Sequence, residues 1–266
     1  MIYDLQKASI MKRFSAFLLD LVIFVMLFIG ILFLGSTIVN YDQYMDDYLA
    51  ISQSVKEEHN IKAIEDEYGI LFNDYGQMTT EEIELIPQEV RIAYDKCYEV
   101  LETHTELSRL MAIMVYLALA IFSISMLLTH LILEFFVPLL FKNGQTIGKK
   151  IFSIAVMRVD GVRITPFLLF VRTIFGKYTI ETMLPAIMLL LFLAGFDLIV
   201  CFAVVLLIFL MQVVLFITSK TRSPIHDYLS STVVVDMQSQ MIFDNEDAKR
   251  EYQLCLHKEA VEKAPY

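Results

Sequence analysis

Apolar residues collect in three long runs separated by polar stretches. The first is Phe14–Val39, whose only charge after Arg13 is Asp20. The second is Leu110–Leu133, followed by Glu134 and then Pro138. The third, Met183–Thr218, is 36 residues long. A hydrocarbon core of ~30 Å takes about 20 apolar residues as helix, because every backbone N–H and C=O must be paired within the segment. The third run would make about 54 Å of straight helix, too long for one crossing. Gly195-Phe196-Asp197 supplies a turn near its middle. Two helices, roughly 180–195 and 198–219, are therefore expected. The first of them is short, so a re-entrant half-helix stands as the alternative to a full crossing. The pattern predicts an all-α membrane protein with about four transmembrane helices.

The polar stretches carry patterns of their own. In 41–109, Thr79-Thr80-Glu81-Glu82 reads as a helix start, with a threonine cap and acids in the first turn. From Gln88 to Arg109 apolar residues recur at helical spacing (Val90, Tyr94, Cys97, Val100, Leu101, Leu107), predicting a helix that runs unbroken into the second span. Residues 43–67, with Tyr44, Tyr48, Ile51, Val55 and His59, are its expected mate in a helical hairpin. Further on, Ile151–Val159 is β-prone, and Asp160-Gly161 joins it to Val162–Thr165, a hairpin signal. Ser231–Asp236 is a third short β-prone run. The three are expected to pair as a small antiparallel β element. Phe167–Tyr178 mixes aromatics with Arg172 and Lys177, which predicts an interfacial amphipathic helix.

Charge turns the spans into a topology. The chain is 57% hydrophobic with a formal net charge of -10, against 45–50% apolar for an average soluble domain. The acid is concentrated in 41–109, which has only Lys56, Lys62, Arg91, Lys96 and Arg109 as cations. Lys7, Lys12 and Arg13 precede the first span, seven Lys and Arg lie in 142–182, and Lys220 and Arg222 follow the last span. Four crossings put these three basic segments on one side, the cytoplasmic one. The expected organisation is a flank and first span (1–40), an acidic extracellular insertion (41–109), a second span (110–141), a cytoplasmic β-hairpin with an interfacial helix (142–179), two further spans (180–219) and a cytoplasmic tail (220–266). A multi-pass protein of the cell membrane with both termini inside follows. The N-terminal apolar run is too long for a cleavable signal, with no small-residue cleavage site after it. Cys97, Cys201 and Cys255 fit no metal or disulfide spacing. No basic stripe suggests a nucleic-acid partner.

Candidate chemistry is confined to a few charges. Asp20 lies about two turns into the first span, where a carboxylate is costly. Arg13 is seven residues earlier, on nearly the same helical face and about 10 Å away along the axis. Asp227 follows the last span on the same expected side. The three either hold the first and last spans together, or Asp20 binds a cation or proton with Arg13 and Asp227 tuning it. Asp197 is solvated in an external turn, or functional if 180–195 is re-entrant. In Asn143–Lys150, NGQTIGKK, the spacing from Gly144 to Gly148 and Lys149 is one residue short of a phosphate loop, and no Ser/Thr follows the lysine. The glycines are expected to shape a turn and the lysines to sit at anionic headgroups. No catalytic triad, metal-ligand spacing or cofactor motif is visible, so an enzyme is not expected.

Three segments, in order, match a known pattern: Lys12-Arg13-Phe14-x-Ala16-x-x-x-Asp20, Gly144-Gln145-Thr146-Ile147-Gly148-Lys149-Lys150, and His226-Asp227 through Val235. Over about 1–40 and 110–236 the chain resembles the RDD family of prokaryotic membrane proteins, named for an arginine and two aspartates. By motif position these are Arg13, Asp20 and Asp227. The resemblance implies an integral membrane protein engaged in transport, with sodium–proton exchange associated with some members. Two functions are expected to compete. One is a secondary transporter exchanging a small cation for protons; four short spans are few for a monomeric carrier, so it would work as a homo-oligomer. The other is a non-transporting scaffold that recruits a partner through 41–109 or the cytoplasmic sheet. The lipid bilayer is the common partner of both.

Overall fold

The structure, a computed structural model, describes residues 5–193 and 195–262. Among them four helices are long and apolar enough to cross a membrane: Ile10–Ile38, Thr105–Phe141, Pro166–Leu193 and Leu198–Thr218. They are referred to here as the first to fourth apolar helices. The chain divides into two compact units, one of Met1–Ile31 with Ser125–Tyr266, the other of Leu32–Ile124.

The first apolar helix is hydrophobic all round and leaves large side chains such as Met26 (70%) and Ile38 (78%) exposed. In water such a surface would be an aggregation site; in hydrocarbon it is the ordinary face of a span. The second extends beyond the expected Leu133 through a π-helical stretch, Leu131–Phe136, to Phe141. Pro138 explains the stretch. It has no N–H to return to the Glu134 carbonyl, and the hydroxyl of Thr173 donates to that oxygen instead, at 2.8 Å.

The third helix corrects the sequence reading. Residues 167–178 are not a separate interfacial helix, and the helix expected at 180–195 is not short: one helix of 28 residues runs from Pro166 to Leu193, π-helical over Arg172–Met183. That length suits a crossing rather than a re-entrant half-helix. Thr165 caps it, accepting from the Leu168 N–H, with Pro166 in the first turn. Arg172 and Lys177, which suggested the interfacial amphipathic helix, both have carboxylate partners within the unit. Gly195, at φ +88°, makes the expected turn, and Asp197 caps the fourth helix by accepting from the Val200 N–H at 3.0 Å.

β1 (Ile154–Arg158) pairs antiparallel with β2 (Thr232–Asp236), Val156 opposite Val234. Strand β1 starts three residues later than the β-prone run, because Ile147–Ile151 forms a short helix. The Asp160-Gly161 turn is present, but its returning arm meets β1 at one isolated bridge, Met157 with Arg163, and Phe243 at another through Val162, so the sheet is built from the two segments distant in sequence. Both faces are covered. Ile154, Val156 and Val234 pack with Ala8, Ala16 and Leu169, while Ala155, Met157, Val233 and Val235 pack with Leu5 and Ile242. A strand buried on both faces reads as a continuous apolar run, which is why both strands stood out in the sequence.

In the other unit the expected hairpin is a small helical assembly. Tyr41–Glu58, Ile61–Tyr68 and Gln88–Thr103, with two short helices, surround a core of Val55, Ile61, Phe72, Tyr75, Val90, Tyr94 and Cys97. The helix from Gln88 does not run into the second apolar helix. It stops at Thr103; His104 is extended, and its Nδ1 accepts from the Leu107 N–H, opening a new helix at Thr105. The 43–67 mate is likewise broken, at Asn60, which adopts φ +51°. The Thr79–Glu82 capping box forms as the sequence suggests. Thr79→Ala should cost about 1 kcal/mol, visible as faster amide exchange at Glu81–Ile83 in the whole protein; unchanged exchange there would contradict the cap.

Candidate functional site

The unit of Met1–Ile31 and Ser125–Tyr266 gathers an unusual number of charges around the first apolar helix. Arg13 donates to two backbone carbonyls, Val234 at 2.6 Å and Arg222 at 3.0 Å, and so ties that helix to the sheet and to the segment after the fourth helix. About two turns further on, Asp20 Oδ2 accepts from the Thr146 hydroxyl at 2.5 Å and Oδ1 from the Gly148 N–H at 2.8 Å. These donors sit where the Ile147–Ile151 helix begins, and Thr146 is its cap. Gly148 permits the approach: a Cβ there would collide with the Ala16 carbonyl oxygen and lie 2.9 Å from the Asp20 carboxyl carbon. Gly148→Ala should therefore destabilise the fold by about 1–3 kcal/mol, read as a lower unfolding midpoint in detergent. A midpoint equal to wild type would mean the contact is not formed. Gly144, at φ +61°, turns the chain just before this motif.

Asp227 has a different partner from the one its motif suggests. Its Oδ1 accepts from Arg172 Nε at 2.8 Å and from the Thr232 hydroxyl at 2.8 Å, with Asp227 and Arg172 both 1% exposed. Burial is the largest single influence on the Asp227 carboxyl and would raise it; the charges of Arg172 and His226, with the hydrogen bonds from Arg172 and Thr232, together outweigh it and hold the acid well below the usual range. Beside it, His226 Nδ1 lies 2.8 Å from Glu181, and burial lowers this imidazole, with the Arg172 charge adding to the effect. Gly176 makes room for His226, whose Cβ would be 2.5 Å from an added methyl. Lys177 pairs with Glu134.

A cavity of about 330 Å³ opens among these groups, lined by Arg13, Asp20, Glu134, Lys149, Arg172, Lys177 and Asp227 together with apolar residues such as Phe14, Phe17 and Phe216. A second, of about 320 Å³, shares Phe17, Asp20, Glu134, Lys177 and His226 with it and continues to Phe24, His130 and Thr182. Along the first helix the two extend from Ile10 to Phe24, about 21 Å by helix rise. Five buried polar atoms with no hydrogen-bond partner belong to the wall of the first cavity: Arg13 Nε, Glu134 Oε2, Lys149 Nζ, Arg172 Nη1 and Asp227 Oδ2. Buried polar groups are nearly always satisfied, so such a concentration marks a place for water or a polar ligand. Lys149 is the extreme case. It is buried rather than at a headgroup surface, and burial, with Arg172 and Lys177 nearby, brings its ammonium down to about 7.

The model of the RDD family matches residues 7–231. The chain belongs to the RDD family. No curated protein and no solved structure matches it. In this RDD protein Arg13, Asp20 and Asp227 do line one cavity, but none of them is bonded to another. Each fastens a different element: Arg13 the sheet, Asp20 the Ile147–Ile151 helix, Asp227 the third apolar helix. Asp197 lies apart from the cavity as a helix cap, and Gly144 serves the turn. Sequence reasoning missed Arg172, Glu134, Lys177 and Glu181. The available signal was their position inside apolar segments, where an ionisable side chain requires a partner.

Proposed function

We propose that this RDD protein is a secondary transporter that couples the movement of a small ion to protons, with the two adjoining cavities as its binding path. The observation that carries the reading is the set of five unsatisfied buried polar atoms on one cavity wall among helices of membrane length. Ionisable groups are expensive there and are kept where ions or protons pass. The form anticipated from the sequence is a small cation exchanged for protons with Asp20 titrating. Both Asp20 oxygens already accept hydrogen bonds, so in this proposal Asp20 positions the Ile147–Ile151 helix and Lys149 and Glu134 face the ion. In this proposal both ends lie in the cytoplasm of a cell-membrane protein, a reading the basic flanks support, and the protein works as a homo-oligomer.

The test is proteoliposomes of purified protein with an entrapped pH dye. Sodium, potassium and phosphate gradients are imposed in turn. A dye response to one of them supports the transporter; no response to any of them overturns it. A second reading, a scaffold recruiting a partner, is favoured by the separate tyrosine-rich core of Leu32–Ile124. It requires that deleting 41–109 abolish a specific co-purification without unfolding the remaining unit.

A further inference from the structure

Three cationic side chains face the cavity that Lys149 lines with a donor unused. Arg172 spends Nε on Asp227 and leaves Nη1 bare; Arg13 spends both terminal nitrogens on carbonyls and leaves Nε bare; Lys149 Nζ bonds nothing at all. The charges tell the same story. Four cations, Arg13, Lys149, Arg172 and Lys177, line the wall against three carboxylates. Each carboxylate is already engaged: Asp20 by Thr146 and Gly148, Glu134 by Lys177, Asp227 by Arg172. Neither Arg13 nor Lys149 has a carboxylate in contact, and Lys149 has no hydrogen-bond partner at all, so an acceptor bearing negative charge would complete the wall.

We infer that the cavity binds an oxyanion, a carboxylate or phosphate group, held by Lys149 with Arg172 and Arg13. Arginine and lysine donors together are the usual partners of such groups, arginine through its planar fork and lysine as a point charge. The two carboxylate oxygens without a hydrogen bond, Glu134 Oε2 and Asp227 Oδ2 (the latter 3.7 Å from His226 Nε2), would take hydrogens from bound water or from the hydroxyl of a protonated phosphate. The remaining wall, with Phe14 and Phe17 each more than half exposed, suits an apolar substituent on the same ligand. The inference rests on the cavity being the ligand site of the proposed transporter and names the group it takes. The oxyanion has two sources, an anionic lipid headgroup or a soluble anion.

Lys149→Met separates binding from folding, because the Lys149 amine bonds no protein group whose partner would be lost. The full-length protein is reconstituted in phosphatidylcholine nanodiscs and dialysed against radiolabelled inorganic phosphate. In parallel, native mass spectrometry compares retention of phosphatidylglycerol with phosphatidylcholine. Wild type should bind one of the two oxyanions, Lys149→Met should bind it at least tenfold more weakly, and Lys149→Arg should recover part of the affinity. Phosphate binding identifies a soluble anion, and phosphatidylglycerol retention alone identifies a lipid headgroup. Binding of neither, or equal binding by Lys149→Met, overturns the inference. Oxyanion binding without flux would sink the transporter reading alone, and flux without oxyanion binding would sink this inference alone.

Discussion

Asp227→Ala is expected to be among the most damaging single substitutions in the protein, costing about 3–5 kcal/mol. The reason is what it leaves behind. Arg172 is 1% exposed and already has one nitrogen without a partner; removing the carboxylate leaves a buried guanidinium with no counter-ion contact and frees the Thr232 hydroxyl as well. The third apolar helix, the segment after the fourth helix and β2 meet at this pair, so the loss should appear as cooperative unfolding rather than local fraying. Chemical or thermal unfolding in detergent measures it. A double variant, Arg172→Met with Asp227→Leu, should recover most of the stability, since replacing both members of a buried pair by apolar residues is often neutral. An Asp227→Ala protein within about 0.5 kcal/mol of wild type, the range of an ordinary surface change, would contradict the buried pair.

Lys149→Met should change the pH dependence of stability. Burial brings the folded-state ammonium to about 7 from 10.5, so between those values the unfolded chain binds a proton that the folded one does not. Stability then rises with pH across that window and is flat below it, where both states are protonated. Each pKa unit corresponds to about 1.4 kcal/mol, so the charged lysine costs the fold several kcal/mol at and below neutral pH. The methionine variant should melt higher than wild type at pH 7, with the gap closing toward pH 10. Parallel melting curves from pH 6 to 10 would contradict a buried, unbonded Lys149. A residue that destabilises the protein at neutral pH and yet occupies a cavity wall is the kind retained for what it binds.

The sequence already displayed the apolar runs, the Gly195 turn, the Thr79 cap and both strands, because each depends on local periodicity or on a single backbone requirement. The third apolar helix was not legible in full. Arg172 and Lys177 read as water-seeking only while their partners are unknown, and those partners lie 55 and 43 positions away in Asp227 and Glu134. Lys149 was misplaced for the same reason: a lysine beside a glycine turn looks solvated until Asp20, on another helix, is found to draw the turn inward. The motif residues Arg13, Asp20 and Asp227 were identified as neighbours, but hydropathy could not reveal that each is bonded to a separate element. The break at His104 depends on a side-chain cap whose acceptor and donor, three residues apart, fit an unbroken helix equally well in the sequence.

The claim that this cavity carries the activity is tested most directly by proton movement in vesicles containing wild type, Lys149→Met or Thr79→Ala protein, each checked as folded by its unfolding midpoint. The expected result is an ion-driven pH change with wild type and with Thr79→Ala, whose substitution lies in the other unit, and none with Lys149→Met. Equal rates for wild type and Lys149→Met would contradict it.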